Sequence, residues 1–437
     1  AELARIWRRY EGDPDGAIRA ITETAATAES LVQFLRGQNR NVELIPVGSL
    51  RRGREACGDI DILAVGGEQS LMDALISHPD VERVLGQGDT KASVRLRGGY
   101  QADLRLVPLE SRGAAMQYFT GSKAHNIGVR DRAVQLGFKL NEYGLFKADD
   151  DSRVAGETEE GIYRALGMEW VEPGLRENRG EIEAARGGTL PKLITLADLR
   201  GDLHMHTTET DGRDDLPTMA KAAQQLGRQY IAITDHSKQL AMANGLDERR
   251  ALEHAARVRA LNGRFENLTL LAGIECDILG DGRLDLADDC LAQLDIVIAS
   301  IHSHFSQDSQ QMTDRLLRAI ECPWVDVLGH PTGRLLLRRD PLKFDMAAVM
   351  DSVAKHGLAL EINCQIDRLD VNDAHARAAR ERGIPLVIST DSHRTGELLN
   401  LQWGVHVARR AWAQASDVLN TRPVEELRAR LRRNRKG

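Results

Sequence analysis

Two sets of acidic and imidazole side chains in this 437-residue sequence have the spacing that metal-dependent phosphoryl chemistry needs. In GDIDILAV, Asp59 and Asp61 alternate with Ile60 and Ile62, so a strand here sets both carboxylates on one face. Asp103, in ADLRLV, adds a third carboxylate if its strand lies alongside. Clustered carboxylates repel one another unless a cation sits among them. A pair of Mg²⁺ or Mn²⁺ ions, hard cations that prefer oxygen ligands, is the natural counter-charge. Such a pair activates an attacking oxygen and stabilises a leaving one. Ten residues upstream, Gly48 and Ser49 precede Arg51, Arg52 and Arg54. Backbone N–H groups, a hydroxyl and guanidinium forks together suit a triphosphate. Asp-Ile-Asp alone is a short motif that many exposed strands carry; the glycine-serine turn at this distance and the third aspartate set it apart.

The second set is larger. His204 and His206 flank one residue in LHMHT, and Asp211 follows in TETDG. Next come His236 in TDH, Glu275 in GIEC, His302 in IHSH, His330 in GHP, and Asp391 with His393 in STDSH. All but Asp211 come at the end of an apolar, strand-like run. A lone His-x-His pair is commonplace, but nine such groups at successive strand ends would go unsatisfied if buried without ions. Mixed imidazole and carboxylate sites suit Zn²⁺, Mn²⁺ or Fe²⁺ better than Mg²⁺. Several adjacent ions would activate water near neutral pH and offset the charge of a phosphorane-like transition state. His304 is left over from this set and is expected outside it; Cys276 and Cys364 flank site strands without matching a ligand position. Arg334, Arg368 and Asn363 are read either as rim contacts to substrate phosphate or as ordinary surface or supporting residues.

The elements that must position these residues fall into two regimes. An amphipathic helix is expected over about 17–38, followed by strands around VELIPVGSL, GDIDILAV, SVRLRG and YQADLRLV, with one more helix between them. This is an α+β pattern whose sheet carries carboxylates on one face. From 111 to about 187 the text reads as helical and polar, and ARGGTLPKL reads as a linker. Beyond it, seven short apolar strands, most followed by a helical pattern, predict a parallel β/α barrel with the metal-type residues at the C-terminal strand ends.

Composition sets the outer limits. At 42% hydrophobic and 28% charged, the chain is of the globular kind, and no apolar run approaches the roughly 20 residues that cross a bilayer. Five cysteines without a paired motif argue for a reducing cytoplasm and against a disulfide framework. The net charge of −7 does not exclude a polyanionic partner, because the clustered acids would be cancelled by bound cations. Positive charge is local, at RRGR, at SKAHNIGVR and in the run LRARLRRNRKG, which is read as a solvated helix end in preference to a DNA-binding tail.

The residues of the front half resemble a known family. VGSLRRGREACGDIDIL, ADLRLV and YFTGSKAHNIGVRDRA look like the palm and thumb of bacterial family X DNA polymerases, over roughly residues 25–187. The resemblance implies that Asp59, Asp61 and Asp103 hold the palm metals, Asp103 also helping to activate the primer 3′-OH. Gly48, Ser49 and Arg52 would hold the triphosphate, and Tyr118, Phe119 and Gly121 would line the sugar pocket. Asn126 would meet the base edge in the minor groove, Arg130 the template strand, and Lys123 the incoming nucleotide. Family members carry a lyase domain and a fingers region ahead of the palm. Only about 45 residues precede the glycine-serine turn here. The chain is therefore expected to lack that section, with the 5′-phosphate lyase function and much of the grip on downstream DNA.

Residues of about 198–405 resemble the polymerase-and-histidinol-phosphatase (PHP) domain, a distorted seven-stranded β/α barrel with a trinuclear site. That likeness implies one ion on His204, His206, Glu275 and Asp391. Glu275 would bridge to a second ion with His302 and His330, and Asp211, His236 and His393 would hold a third. The expected whole is multidomain α+β and α/β: palm over 1–110 with its N-terminal helical segment, thumb over 111–187, linker over 188–197, and PHP barrel with basic tail over 198–437. The implied function is DNA repair, base excision repair included. Template-directed, gap-filling nucleotidyl transfer would be joined to 3′-5′ exonuclease, AP endonuclease and 3′-phosphatase activity. Its partners would be dNTPs and DNA with gapped or recessed 3′ ends or abasic sites, and the enzyme a cytoplasmic monomer. Two other readings stand beside it: a PHP phosphoesterase for small phosphate esters with a vestigial front half, and a DNA-end-binding scaffold without turnover.

Overall fold

The computed structural model describes residues 19–431, and the chain divides into two units between Pro191 and Lys192. The first residues of the expected N-terminal helix and the last six of the basic run lie outside the described residues.

In the N-terminal unit, the helix Ile21–Gln38 buries Ile21, Thr24, Ala28, Leu31, Val32 and Leu35, a three-and-four spacing that makes one apolar stripe. The stripe packs on a five-stranded sheet of β2 (Glu43–Pro46), β4 (Asp59–Val65), β5 (Val81–Gln87), β6 (Lys91–Leu96) and β7 (Gln101–Val107). Its order is β2-β4-β7-β6-β5, with β4 and β7 parallel and the other neighbours antiparallel. A two-residue ribbon, β1 (Arg19–Ala20) with β3 (Ala56–Cys57), ties the helix start to the basic turn. Ile60 and Ile62 face the helix side, while Leu63 and Val65 are covered on the sheet by Ala115 and Met116 of the helix Arg112–Thr120. At the other end of that face Asp59 is exposed and Asp61 half-buried.

The region after 111 departs from its all-helical expectation. Between the helices Lys123–Gln135 and Glu159–Ala165 lies an antiparallel sheet of β8 (Phe138–Asn141), β9 (Gly144–Lys147) and β10 (Arg153–Ala155). Its strands are three or four residues long and half exposed, too short for alternation to register.

A buried ion triad ties this region to the basic turn. Arg51 and Arg176 each reach Glu159 at 2.7 Å, and Arg51 also donates to Thr120 Oγ1. Burial pushes the Glu159 carboxyl up, but the charges of Arg176 and Arg51 outweigh it and bring the pKa down to about 2. Replacing Glu159 with Gln strands two guanidinium charges, Arg176 fully buried, and is expected to cost about 3–5 kcal/mol, read as a lower urea midpoint. The depressed carboxyl pKa also fixes the acid sensitivity: its contribution is complete above about 4.5 and fades as the pH falls toward 2.

The C-terminal unit is an all-parallel sheet in sequence order: β11 (Gly201–Asp202), β12 (Tyr230–Ile233), β13 (Thr269–Asp277), β14 (Ile296–Ser300), β15 (Val327–Leu328), β16 (Ala359–Asn363) and β17 (Leu386–Ser389). A parallel bridge between Met205 and Ser392, just beyond β11 and β17, closes it into a barrel. Leu203, Tyr230, Leu271, Ile296, Ile298, Val327 and Val387 form its core with Leu419, Leu427 and Leu431. The described start of the basic C-terminal run is thus in a helix, Val424–Arg430, anchored in the barrel core by Leu427 and by Leu431 just beyond it. Leu193 and Ile194, within the expected linker, are also buried, and the Ile194 N–H bonds to Ala413 O. All five cysteines are free, four of them buried.

Candidate active sites

The first site lies on the open end of the palm sheet. Parallel pairing of β4 with β7 sets Asp61 directly opposite Asp103 and Asp59 opposite Gln101, so the three aspartates share one face. Burial, with the charges of Asp59 and Asp103, raises the Asp61 pKa to about 7, and burial and Asp103 raise that of Asp59. Asp103 behaves differently. Burial pushes it up, yet the hydrogen bond from Lys91 Nζ, at 2.7 Å, holds it below the usual range. The residues fit a divalent cation: exposed Asp59 and half-buried Asp61 are both penalised for their charge, and Lys91 is paired to Asp103. Lys91 was not singled out in the sequence, although Ser93 pairs with Asp103 and the period of two puts Lys91 on the same face.

Gly48 opens the short helix Gly48–Arg51 with φ +65°, and a Cβ there would lie 2.5 Å from Asp61 Oδ2. Only glycine lets the backbone pass so close to that carboxylate. Ser49 follows, half-buried. Arg52 is not open to solvent: Nε bonds Glu177 Oε1 at 3.1 Å, and Nη1 donates to Thr120 O. Gly121, at φ +68°, permits this, because a Cβ there would stand 3.0 Å from Arg52 Nη1. Tyr118 and Phe119 meet edge to face at 5.0 Å, with the Arg105 guanidinium 4.6 Å above the Phe119 ring. Asn126 accepts from Gln117 and donates to Tyr118 O, so its amide orientation is fixed. Lys123 and Arg130 are exposed on the helix Lys123–Gln135, seven residues apart and hence on one face.

The second site gathers all nine expected residues at the C-terminal ends of the barrel strands. Ligand atoms lie within 4.8 Å of one another in three groups: His204, His206, Glu275 and Asp391; His206, Asp211, His236 and His393; and His236, Glu275 and His302. His330 Nε2 adds to the last at 2.8 Å from Glu275 Oε1. Beyond the expected sets, His206 and His236 each stand in two groups. His204 Nε2 and Glu275 Oε2 are buried 3.4 Å apart, yet neither is aligned on a hydrogen-bond partner. Atoms so placed point at a common position, which is what a shared cation requires. Burial lowers and Glu275 raises the His236 pKa, the carboxylate prevailing at about 10, whereas burial and the charges of His236 and His393 hold His206 down at about 4. The donor set fits Zn²⁺, Mn²⁺ or Fe²⁺. Exposed His304 stands outside these groups, as expected.

Two of the three rim candidates are buried supports. Asn363 is fully buried and its Nδ2 donates to Asp391 Oδ2 at 3.0 Å. Arg334 is 3% exposed and spends its donors on Arg368 O and Leu369 O. Both make hydrogen bonds within the site's frame; Arg368 itself is half-buried. The sequence reading also missed Glu361 and Asp277. Glu361 Oε1 lies 2.7 Å from His204 Nδ1 and accepts from Ser389 Oγ, while Oε2 accepts the His330 N–H. Asp277 Oδ1 lies 2.5 Å from His302 Nδ1. Each carboxylate fixes an imidazole's tautomer and aims its other nitrogen inward. A charge inside the apolar run LALEIN was the available signal. Glu361→Gln is expected to lower metal affinity about 10–100-fold, as measured by bound metal per chain.

Comparison with known proteins follows the same division. Family models match as DNA polymerase beta palm over residues 21–75, DNA polymerase beta thumb over 115–177, and PHP domain over 202–365. The DNA polymerase/3′-5′ exonuclease PolX of Bacillus subtilis (strain 168) is 40% identical over 419 residues, 95% of this chain and 71% of that protein. A probable phosphatase of Thermoanaerobacter sp. (strain X514) is 27% identical over 231 residues, 50% of this chain and 89% of the phosphatase. Another, from Shewanella sp. (strain ANA-3), is 32% identical over 202 residues, 44% of this chain and 75% of its own length.

Proposed function

The chain belongs to the bacterial family X DNA polymerases that carry a PHP domain, and from that premise we propose a two-site DNA repair enzyme. It joins template-directed nucleotidyl transfer in the palm to 3′-5′ exonuclease activity in the barrel. AP endonuclease and 3′-phosphatase reactions use the same barrel site, and recessed or gapped 3′ ends are the substrates. The observation that carries this reading is the register of Asp61 on Asp103 in a chain whose barrel keeps all nine cluster residues.

In the palm, Asp59, Asp61 and Asp103 would hold Mg²⁺ or Mn²⁺; in the barrel, the nine residues would hold three ions of the Zn²⁺, Mn²⁺ or Fe²⁺ class. Bound ions supply Lewis acidity at the reacting phosphorus and lower the pKa of the attacking hydroxyl or water. The chain's own residues do the rest. Backbone N–H groups at Gly48 and Ser49, with Arg52 once it exchanges Glu177 for phosphate, cradle the triphosphate. Lys91 and Gln101 hold Asp103 toward the primer 3′-OH, whose oxygen bonds to the α-phosphorus as pyrophosphate leaves. In the barrel, Glu361 and Asp277 orient His204 and His302, and Asn363 fixes Asp391, so that water replaces the 3′-oxygen on phosphorus. The products are a 5′-mononucleotide and a strand with a new 3′-OH.

The phosphatase relatives favour a second reading, hydrolysis of small phosphate esters, for the barrel alone. An assay on a 3′-recessed and a one-nucleotide-gapped duplex with Mn²⁺, with and without dNTPs, separates them. Extension with dNTPs and shortening without them are expected. A protein that hydrolyses small esters and leaves both duplexes intact overturns the two-site reading. Among the described residues no helix is long and apolar enough to cross a membrane.

A further inference from the structure

The barrel rim carries an aromatic-cationic pair that the metal cluster does not use. The loop leaving β14 carries His302 and runs to the helix Ser309–Glu321. It is held from beneath by Arg315, only 1% exposed, which donates to Ser303 O at 2.9 Å, to Gln307 Oε1 at 3.2 Å and to Ile278 O. Gln307 in turn donates to Gly280 O at 2.8 Å. On this braced loop, three residues beyond His302, Phe305 is 37% exposed.

The loop after His330 meets it. Arg339 places its guanidinium carbon 4.3 Å from the Phe305 ring centroid, while its Nε donates to Gly333 O at 2.8 Å. Gly333, at φ +56°, comes so near that a Cβ would lie 3.7 Å from Phe305 Cε1. The pair therefore spans the two loops that carry His302 and His330. Exposed Arg338 and Lys343 lie on the second loop. A single exposed aromatic is ordinary on a protein surface. This one is layered with a guanidinium, fixed on a braced loop, and set beside the cluster.

We propose that the Phe305–Arg339 pair stacks a base of the single-stranded 3′ end next to the phosphodiester being cut. The inference rests on the barrel acting on a nucleic-acid strand. Stacking on an aromatic face accepts any base, which suits stepwise removal of a strand of any sequence, and the guanidinium adds cation–π attraction and a charge for the backbone. A small phosphate ester without a base gains nothing from the pair.

The test is steady-state kinetics of Mn²⁺-loaded protein on a single-stranded oligonucleotide and on glycerophosphoglycerol, a small diester without an aromatic ring. Phe305→Ala is expected to raise KM for the oligonucleotide about ten-fold, with kcat and the small diester unchanged to within about two-fold. Phe305→Trp should restore KM. An unchanged oligonucleotide KM overturns the proposal, and so do equal losses on both substrates, which mark a collapsed loop. Wild-type protein that cleaves the small diester but not the oligonucleotide overturns the nucleolytic reading, and this inference with it.

Discussion

Asp59→Ala combined with Asp61→Ala is expected to abolish nucleotide addition, by about 10³-fold or more, while 3′-end shortening proceeds at the wild-type rate. The magnitude follows from the several kcal/mol that a positioned metal pair contributes to phosphoryl transfer, each ~1.4 kcal/mol being tenfold in rate. Selectivity follows from the placement of the residues. Both aspartates lie on the open end of the β4–β7 face, and the neighbours that build the core, Ile60 and Ile62, point the other way. Folding should survive the change, because Asp61 sits at about pKa 7 through burial and two like charges, so its ionised form is a cost to the native state. Truncation relieves that cost, and the melting temperature at pH 8 should not fall. Primer extension and exonuclease assays on one preparation decide the matter. Parallel loss of both activities at unchanged melting temperature sinks the two-site reading.

The aspartates were legible because alternation is a short-range signal: four residues of Asp-Ile-Asp-Ile suffice to assign faces. The register that brings Asp103 opposite Asp61 was conditional on strand adjacency, which no local pattern carries. Lys91 stayed hidden for the same reason, since its meaning arises only when β6 lies beside β7. In the barrel, strand count, order and all nine cluster residues were readable, because each strand buries both faces and ends in a polar residue that apolar runs do not otherwise contain. Glu361 escaped notice there, and the sequence did not decide between a rim contact and a supporting role for Asn363. Their alternation places both on the inner face of β16, but a strand-end amide looks like a substrate contact until Asp391 is seen 3.0 Å away. β5 is an almost wholly exposed edge strand and β8–β10 are short, so their pairing comes from tertiary packing rather than composition.

His204→Ala combined with His206→Ala should give the opposite phenotype, with 3′-end hydrolysis lost by at least about 10³-fold and nucleotide addition retained. These imidazoles differ from the palm aspartates in being fully buried, with His204 held between Glu361 and the Glu275–Asp391 pair. Removing them leaves three buried carboxylates with fewer counter-charges, so the barrel unit should itself be destabilised. Lost hydrolysis alone would therefore be ambiguous, and the milder His206→Asn is the informative companion. Its amide lacks the imidazole's reach, yet leaves His204 to balance Glu361, so the barrel should melt near the wild-type temperature. Bound metal per chain should then fall with hydrolysis, while primer extension stays within about two-fold of wild type. A His206→Asn protein that keeps its full metal content and its exonuclease rate would remove His206 from the cluster that its 3.0 Å approach to Asp391 now defines.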